Sequence, residues 1–117
     1  MGTNIVQDKS FRFALRIVKL YQYLKEEKKE YVLSKQVLRS GTAIGALIRE
    51  SQHAESKADF IHKLAIALKE ANETEYWIEL LFHSEYLEQK SYQSIHADIE
   101  EILKLLISII KTTKENK

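Results

Sequence analysis

Residues 39–81, RSGTAIGALIRESQHAESKADFIHKLAIALKEANETEYWIELL, decide how this chain folds. Small residues crowd the first half: Ser40, Gly41, Thr42, Ala43, Gly45 and Ala46. The second half ends in the bulky, polar run ANETEYW. The whole reads as a helical hairpin. With its turn near Ser56–Lys57, residues equally far from the turn sit level in an antiparallel pair, so Gly41 faces Asn72 to Glu75 and Gly45 lies near Lys69. Glycine inside a helix costs about 1 kcal/mol relative to alanine. Two glycines four apart therefore predict a close approach to their backbone, with the Tyr76–Trp77 end of the partner helix as the expected neighbour. Ser40, Gly41, Thr42, Gly45, Asn72, Glu75, Tyr76 and Trp77 form the candidate helix-packing motif.

The flanks carry the same periodicity. A first helix is expected from about Asp8, a suitable N-cap, to the charged KEEKKE at 25–30. Its apolar residues from Phe11 to Leu24 span an arc of roughly 220°, against the stripe of somewhat over 100° typical of a surface helix. The second helix follows Tyr31–Val32–Leu33 with Ser34 as candidate N-cap, and Val37, Gly41, Ile44 and Ile48 form its stripe. Ser56 with Asp59 resembles a capping box and opens the third helix. A loop near Glu88–Ser91 leads to a fourth helix with a second wide apolar face, Ile95 to Ile110. Four helices of this length joined by short loops predict an all-α, antiparallel up-down-up-down four-helix bundle, with residues 1–117 as a single domain.

Composition agrees. Proline is absent and 30% of the 117 residues are charged, which favours helix. The chain has no cysteine, so disulfides and thiolate metal sites are excluded, and a reducing cytoplasm is the expected setting. The start MGTNIVQDKSF has no apolar core of a signal peptide, and LLISII (105–110) is far too short to span a membrane. No membrane partner is expected. Net charge is only +1 but uneven. Residues 1–39 hold nine Lys/Arg against four Asp/Glu, 40–101 hold five against twelve, and 102–117 hold four against one.

Chemistry finds little support. Glu50–Ser51–Gln52–His53 has the Glu-x-x-His spacing of di-iron bundles, but those sites need a second such pair and two further inward glutamates. Neither His62, His83 nor His96 has a glutamate three residues before it. Asn72, Glu75 and Glu79 fall near the apolar arc of the third helix. They read as an acid/base set or, more simply, as a polar layer that fixes register, with Tyr21 and Thr42 as partners, or as an exposed edge. With no nucleophile–base pair and no phosphate loop, no catalytic residue, metal or cofactor is expected.

The segments RSGTAIGALIRES (39–51), ESKADFIHKLAIALKEANETEYWIELL (55–81) and EEILKLLISIIKTTK (100–114) resemble the 23S rRNA intervening sequence proteins. These are small bacterial proteins first named for reading frames inside insertions in 23S rRNA genes. Some relatives have asparagine where this chain has Leu47. The resemblance implies an antiparallel four-helix bundle that assembles into pentameric rings, with no enzymatic activity. It also extends to the accessory protein of diversity-generating retroelements, which binds nucleic acid and a reverse transcriptase. The expected function is a ring-forming scaffold or adaptor with RNA among its partners. The alternative is a protein–protein interaction module without nucleic acid. Lys9, Arg12, Arg16 and Lys19, at helical spacing on the first helix, are the candidate nucleic-acid contacts, extended by Lys111, Lys114 and Lys117.

Overall fold

The computed structural model describes residues 3–116, and all its regular structure is helical: α1 (Thr3–Glu26), α2 (Leu33–Ser51), α3 (Lys57–His83) and α4 (Gln89–Glu115). No strand occurs among the described residues. Each helix packs on the next, and α1 also packs on α4, which is the packing of a four-helix bundle 50 × 21 × 19 Å in extent. Lys117 lies outside the described residues.

The helix ends show which local signals hold. Ser56 is the N-cap of α3: its side chain accepts from the Asp59 backbone N–H at 3.0 Å, and Asp59 Oδ2 accepts from Glu55 N–H at 3.2 Å. The capping box is real, displaced by one residue on its return leg. The other two expected caps differ. Asp8 lies inside α1, which starts at Thr3, and its carboxylate pairs with Arg12 one turn on. Val6 explains the longer helix, because it sits seven residues before Phe13 on the core stripe and is fully buried. Ser34 lies in the first turn of α2 rather than at its cap. The cap is supplied by Glu30, whose carboxylate accepts from the N–H groups of Val32, Leu33 and Ser34 at 3.3, 3.0 and 2.7 Å. Lys29 and Glu85 adopt left-handed backbone (φ 55° and 71°), turning the chain between helices.

One continuous core fills the interior. Phe13, Ile17 and Leu24 from α1 meet Val37, Ile44 and Ile48 from α2, Leu64, Ile78 and Leu81 from α3, and Ile99, Ile102 and Leu106 from α4. Full burial of each such side chain contributes about 1.5–3 kcal/mol. Ser40 and Thr74 bring the hydroxyls of α2 and α3 to 2.8 Å in this interior.

Across the bundle, Thr3 reaches Gln52, Ile17 abuts Gly41, Glu50 pairs with Lys63, Phe82 stacks on Tyr92 and Lys9 pairs with Glu101. Ser40 meeting Thr74 places Gly41 level with Glu73, inside the Asn72–Glu75 window expected for it. What fills the space at Gly41 is different. A Cβ there would come within 2.8–3.0 Å of the Ile17 side chain, and one at Gly45 would meet the Ser10 backbone at 3.4 Å. The close neighbour is α1, not the Tyr76–Trp77 end of α3. Tyr76 is exposed, and Trp77 packs edge-on against it while donating its indole N–H to Glu73.

Candidate functional site

Four constellations on this fold carry groups that the core does not account for. On α1, Phe11, Leu15 and Val18 recur at helical spacing and remain 53%, 52% and 38% exposed. Phe11 also lines a groove between α1 and α2 together with Ala14, Gly45 and Ala46, with Arg49 over the Phe11 ring. Thr42 also faces this groove, and its hydroxyl donates to the Leu38 carbonyl, so it takes no part in a polar layer with α3. The wide arc of α1 is therefore only half covered. The wide apolar face of α4 is better covered: Ile109 and Ile110 pack partly against the core, and among the described residues of α4 Ile107 is the one large apolar side chain left exposed.

The second surface is the basic stripe. Lys9 Nζ lies 3.1 Å from Glu101 on α4, and Arg16 pairs with Asp98 at 2.6 Å while donating to Ser94 Oγ at 3.1 Å. Arg12 pairs with Asp8 at 3.0 Å. Lys19 stays exposed beside a notch lined by Leu20, Tyr23, Leu87 and Ile95. Three of the four candidate cations thus already face carboxylates of this chain. Lys111 and Lys114 are exposed on the last turns of α4.

The third surface lies between α3 and α4. Glu75 and Glu79, on successive turns of α3, direct one carboxylate oxygen each at His96 Nε2 on α4, at 3.2 and 3.3 Å. The other ring nitrogen, Nδ1, lies 3.4 Å from Glu100 Oε1. The imidazole is mostly covered, at 19% exposure, and its ring follows Phe82 and Tyr92 in an aromatic row. Burial, then the nearby Glu79, Glu75 and Glu100 charges, push the Tyr92 hydroxyl above its ordinary pKa. Asn72 is exposed and outside this group, as are Glu50 and His53. Sequence reasoning singled out Glu75 and Glu79 but missed His96. The available signal was the i, i+4 carboxylate pair facing a histidine at matching depth on the next helix.

A fourth constellation ties α2 to α3. Arg39 forks to Glu70 at 3.2 Å and to Glu73, and Glu73 also accepts from the Trp77 indole. The Trp77 bond, outweighing desolvation together with Arg39, holds the Glu73 carboxyl below its usual range. Among the described residues, no helix is long and apolar enough to cross a membrane.

With this geometry in hand, known proteins give one clear relationship. No curated protein matches the chain. A crystal structure of a protein of unknown function from the S23 ribosomal protein family of Bacteroides thetaiotaomicron VPI-5482 is 64% identical, covers 95% of this chain and 99% of its own, and superposes with a TM-score of 0.93. The family model described as 23S rRNA-intervening sequence protein matches residues 3–108. The chain belongs to the family of 23S rRNA-intervening sequence proteins.

Proposed function

We propose that this protein is a cytoplasmic, non-enzymatic scaffold, an antiparallel up-down-up-down bundle that self-associates into a ring and works through protein contacts. The up-down reading is supported by the cross-helix pairs, in which numbering rises along one helix as it falls along its neighbour: Thr3 with Gln52 and Ile17 with Gly41, Ser40 with Thr74 and Glu50 with Lys63, Glu75 with His96 and Phe82 with Tyr92. The family resemblance sets the expected ring at five subunits.

One observation carries the assembly reading. Phe11, Leu15 and Val18 leave a contiguous apolar face on α1 beside the Ala14–Ala46 groove. Contiguous apolar surface of this kind usually marks an interface. The basic stripe favours a protein contact over a nucleic-acid one, because Asp98, Glu101 and Asp8 already offset Arg16, Lys9 and Arg12. Phosphate recognition draws its affinity from cations free to replace counterions.

Light scattering tests this. The wild-type chain at micromolar concentration is expected to run as a species several times its 13.7 kDa mass, and Phe11→Glu with Leu15→Glu as a helical monomer. A monomeric wild type sinks the scaffold reading. A ring that survives the double substitution moves the interface off α1. Salt-sensitive RNA binding by the wild-type ring would return nucleic acid to the partners.

A further inference from the structure

We propose that Glu75, Glu79 and His96 form a zinc-binding site that links α3 to α4, with Glu100 as the positioning residue behind the histidine. The argument starts from the imidazole. A neutral histidine carries one ring proton, and the nitrogen opposite offers a lone pair. Nε2 lies 3.2 Å from a Glu75 oxygen and 3.3 Å from a Glu79 oxygen, and Nδ1 lies 3.4 Å from Glu100 Oε1. In the tautomer with its proton on Nδ1, the Nε2 lone pair faces both carboxylates. In that tautomer three electron-rich atoms lie within 4.8 Å of one another, and a cation held between them would offset their repulsion.

A divalent ion suits that role with the spacing already present. Zinc binds imidazole nitrogen and carboxylate oxygen at about 2.0–2.2 Å, which places tetrahedral ligand atoms about 3.4 Å apart. The three candidate ligand atoms all lie within 4.8 Å of one another, and the two measured from Nε2 fall at the tetrahedral edge length. Magnesium fits poorly, because it prefers an octahedral shell of oxygens and retains its waters. The mixed nitrogen and oxygen set suits zinc.

The surroundings resemble a metal's outer shell. A ligating histidine commonly gives its second N–H to a carboxylate, which fixes the tautomer and raises ligand basicity. Glu100 stands one turn after His96 in that position. The Phe82–Tyr92 stack walls one side of the ring, while Glu79 is 47% exposed, so an ion can reach the group from solvent. The three ligands come from two helices, so the bound ion would clamp them, and binding to the folded chain alone raises its stability.

Titration of zinc chloride into chelator-treated full-length protein tests the proposal, followed by calorimetry and thermal unfolding. One zinc per chain and a raised Tm are expected, with no comparable effect of magnesium. His96→Ala should weaken zinc affinity at least a hundredfold, and Glu100→Gln by about tenfold, the usual effect of removing an outer-shell partner. Glu79→Gln, at a half-exposed position, removes a ligand without disturbing packing and should also abolish the Tm shift. No zinc binding by the wild type overturns the site. Zinc affinity that survives both His96→Ala and Glu79→Gln also overturns it, assigning the ion to another group.

Discussion

At the residue scale, the two interior glycines look alike in sequence and differ in what they face. Gly41 is buried against Ile17, itself fully buried and held on all sides by the core, so a methyl group at 2.8 Å has nowhere to go. Gly41→Ala should destabilise by about 1–3 kcal/mol, the usual cost of overpacking. Trimming the obstacle should soften that cost, so Gly41→Ala introduced into an Ile17→Ala background is expected to cost clearly less than in the wild type. Gly45 meets the Ser10 backbone at 3.4 Å, an ordinary contact. Gly45→Ala should therefore recover most of the roughly 1 kcal/mol of helix propensity that glycine forfeits. Urea denaturation of the variants checks both signs, and equal effects at the two sites would refute the assignment of close approach to Gly41. The spacing of these glycines was legible in sequence, and so was their level against Asn72–Glu75. Which helix they face was not. Ser40 faces α3 while its neighbour Gly41 faces α1, so the rotation of α2 about its axis decides which helix each residue meets, and that rotation is fixed by the complete core.

At the scale of elements, the same division holds between local and distant signals. The Ser56–Asp59 start of α3 was readable because cap and partner lie three residues apart. Glu30 was not, although it is as near to its helix, because glutamate before a helix ordinarily signals a solvated loop. Here its carboxylate is 9% exposed and closes the open N-terminus of α2. Burial alone would raise its pKa, but the N–H bonds from Leu33, Ser34 and Val32 outweigh that and hold it below the ordinary carboxylate range. The sign of the pH dependence follows. A group with a depressed pKa in the folded state stabilises fully above its unfolded value, and that contribution disappears as pH falls through the folded value. Glu30→Gln should then cost about 1 kcal/mol near neutrality, the usual worth of a helix cap. The gap between variant and wild type should close as pH drops below the normal glutamate range. Thermal melts of both proteins across that interval measure it; a gap that stays constant with pH would mean the charge is irrelevant to the cap. Arg39 invites the opposite expectation. Its fork to Glu70 and Glu73 joins α2 to α3, but the side chain is about half exposed, so Arg39→Ala should cost no more than about 1 kcal/mol.

At the scale of the whole molecule, the uneven charge of the sequence acquires a structural meaning. The basic first third and the acidic middle read in sequence as separate fields, one of them inviting phosphate. The fold brings α4 against α1, and Asp98 and Glu101 from the acidic segment settle on Arg16 and Lys9, some eighty or more residues away. Periodicity can align four cations on one helix face, but it carries no information about which carboxylates a later helix lays beside them. The consequence is testable by removing the carboxylates rather than the cations. Asp98→Asn with Glu101→Gln leaves both side chains nearly the same size and sets Lys9 and Arg16 free beside Arg12 and Lys19. These pairs are largely exposed, so the stability cost should stay within about 1 kcal/mol. Arg12 stays paired with Asp8, so three cations (Lys9, Arg16 and Lys19) available to single-stranded RNA would give a salt slope of about −2 in log affinity against log salt. The double variant is therefore expected to gain RNA affinity that falls about twentyfold between 50 and 200 mM salt. The wild type should show no such component in the same anisotropy titration. Equal, salt-steep binding by both proteins would mean that phosphate already displaces Asp98 and Glu101. In that case the stripe is an RNA surface whose carboxylates are removable covers, and the scaffold reading must include nucleic acid.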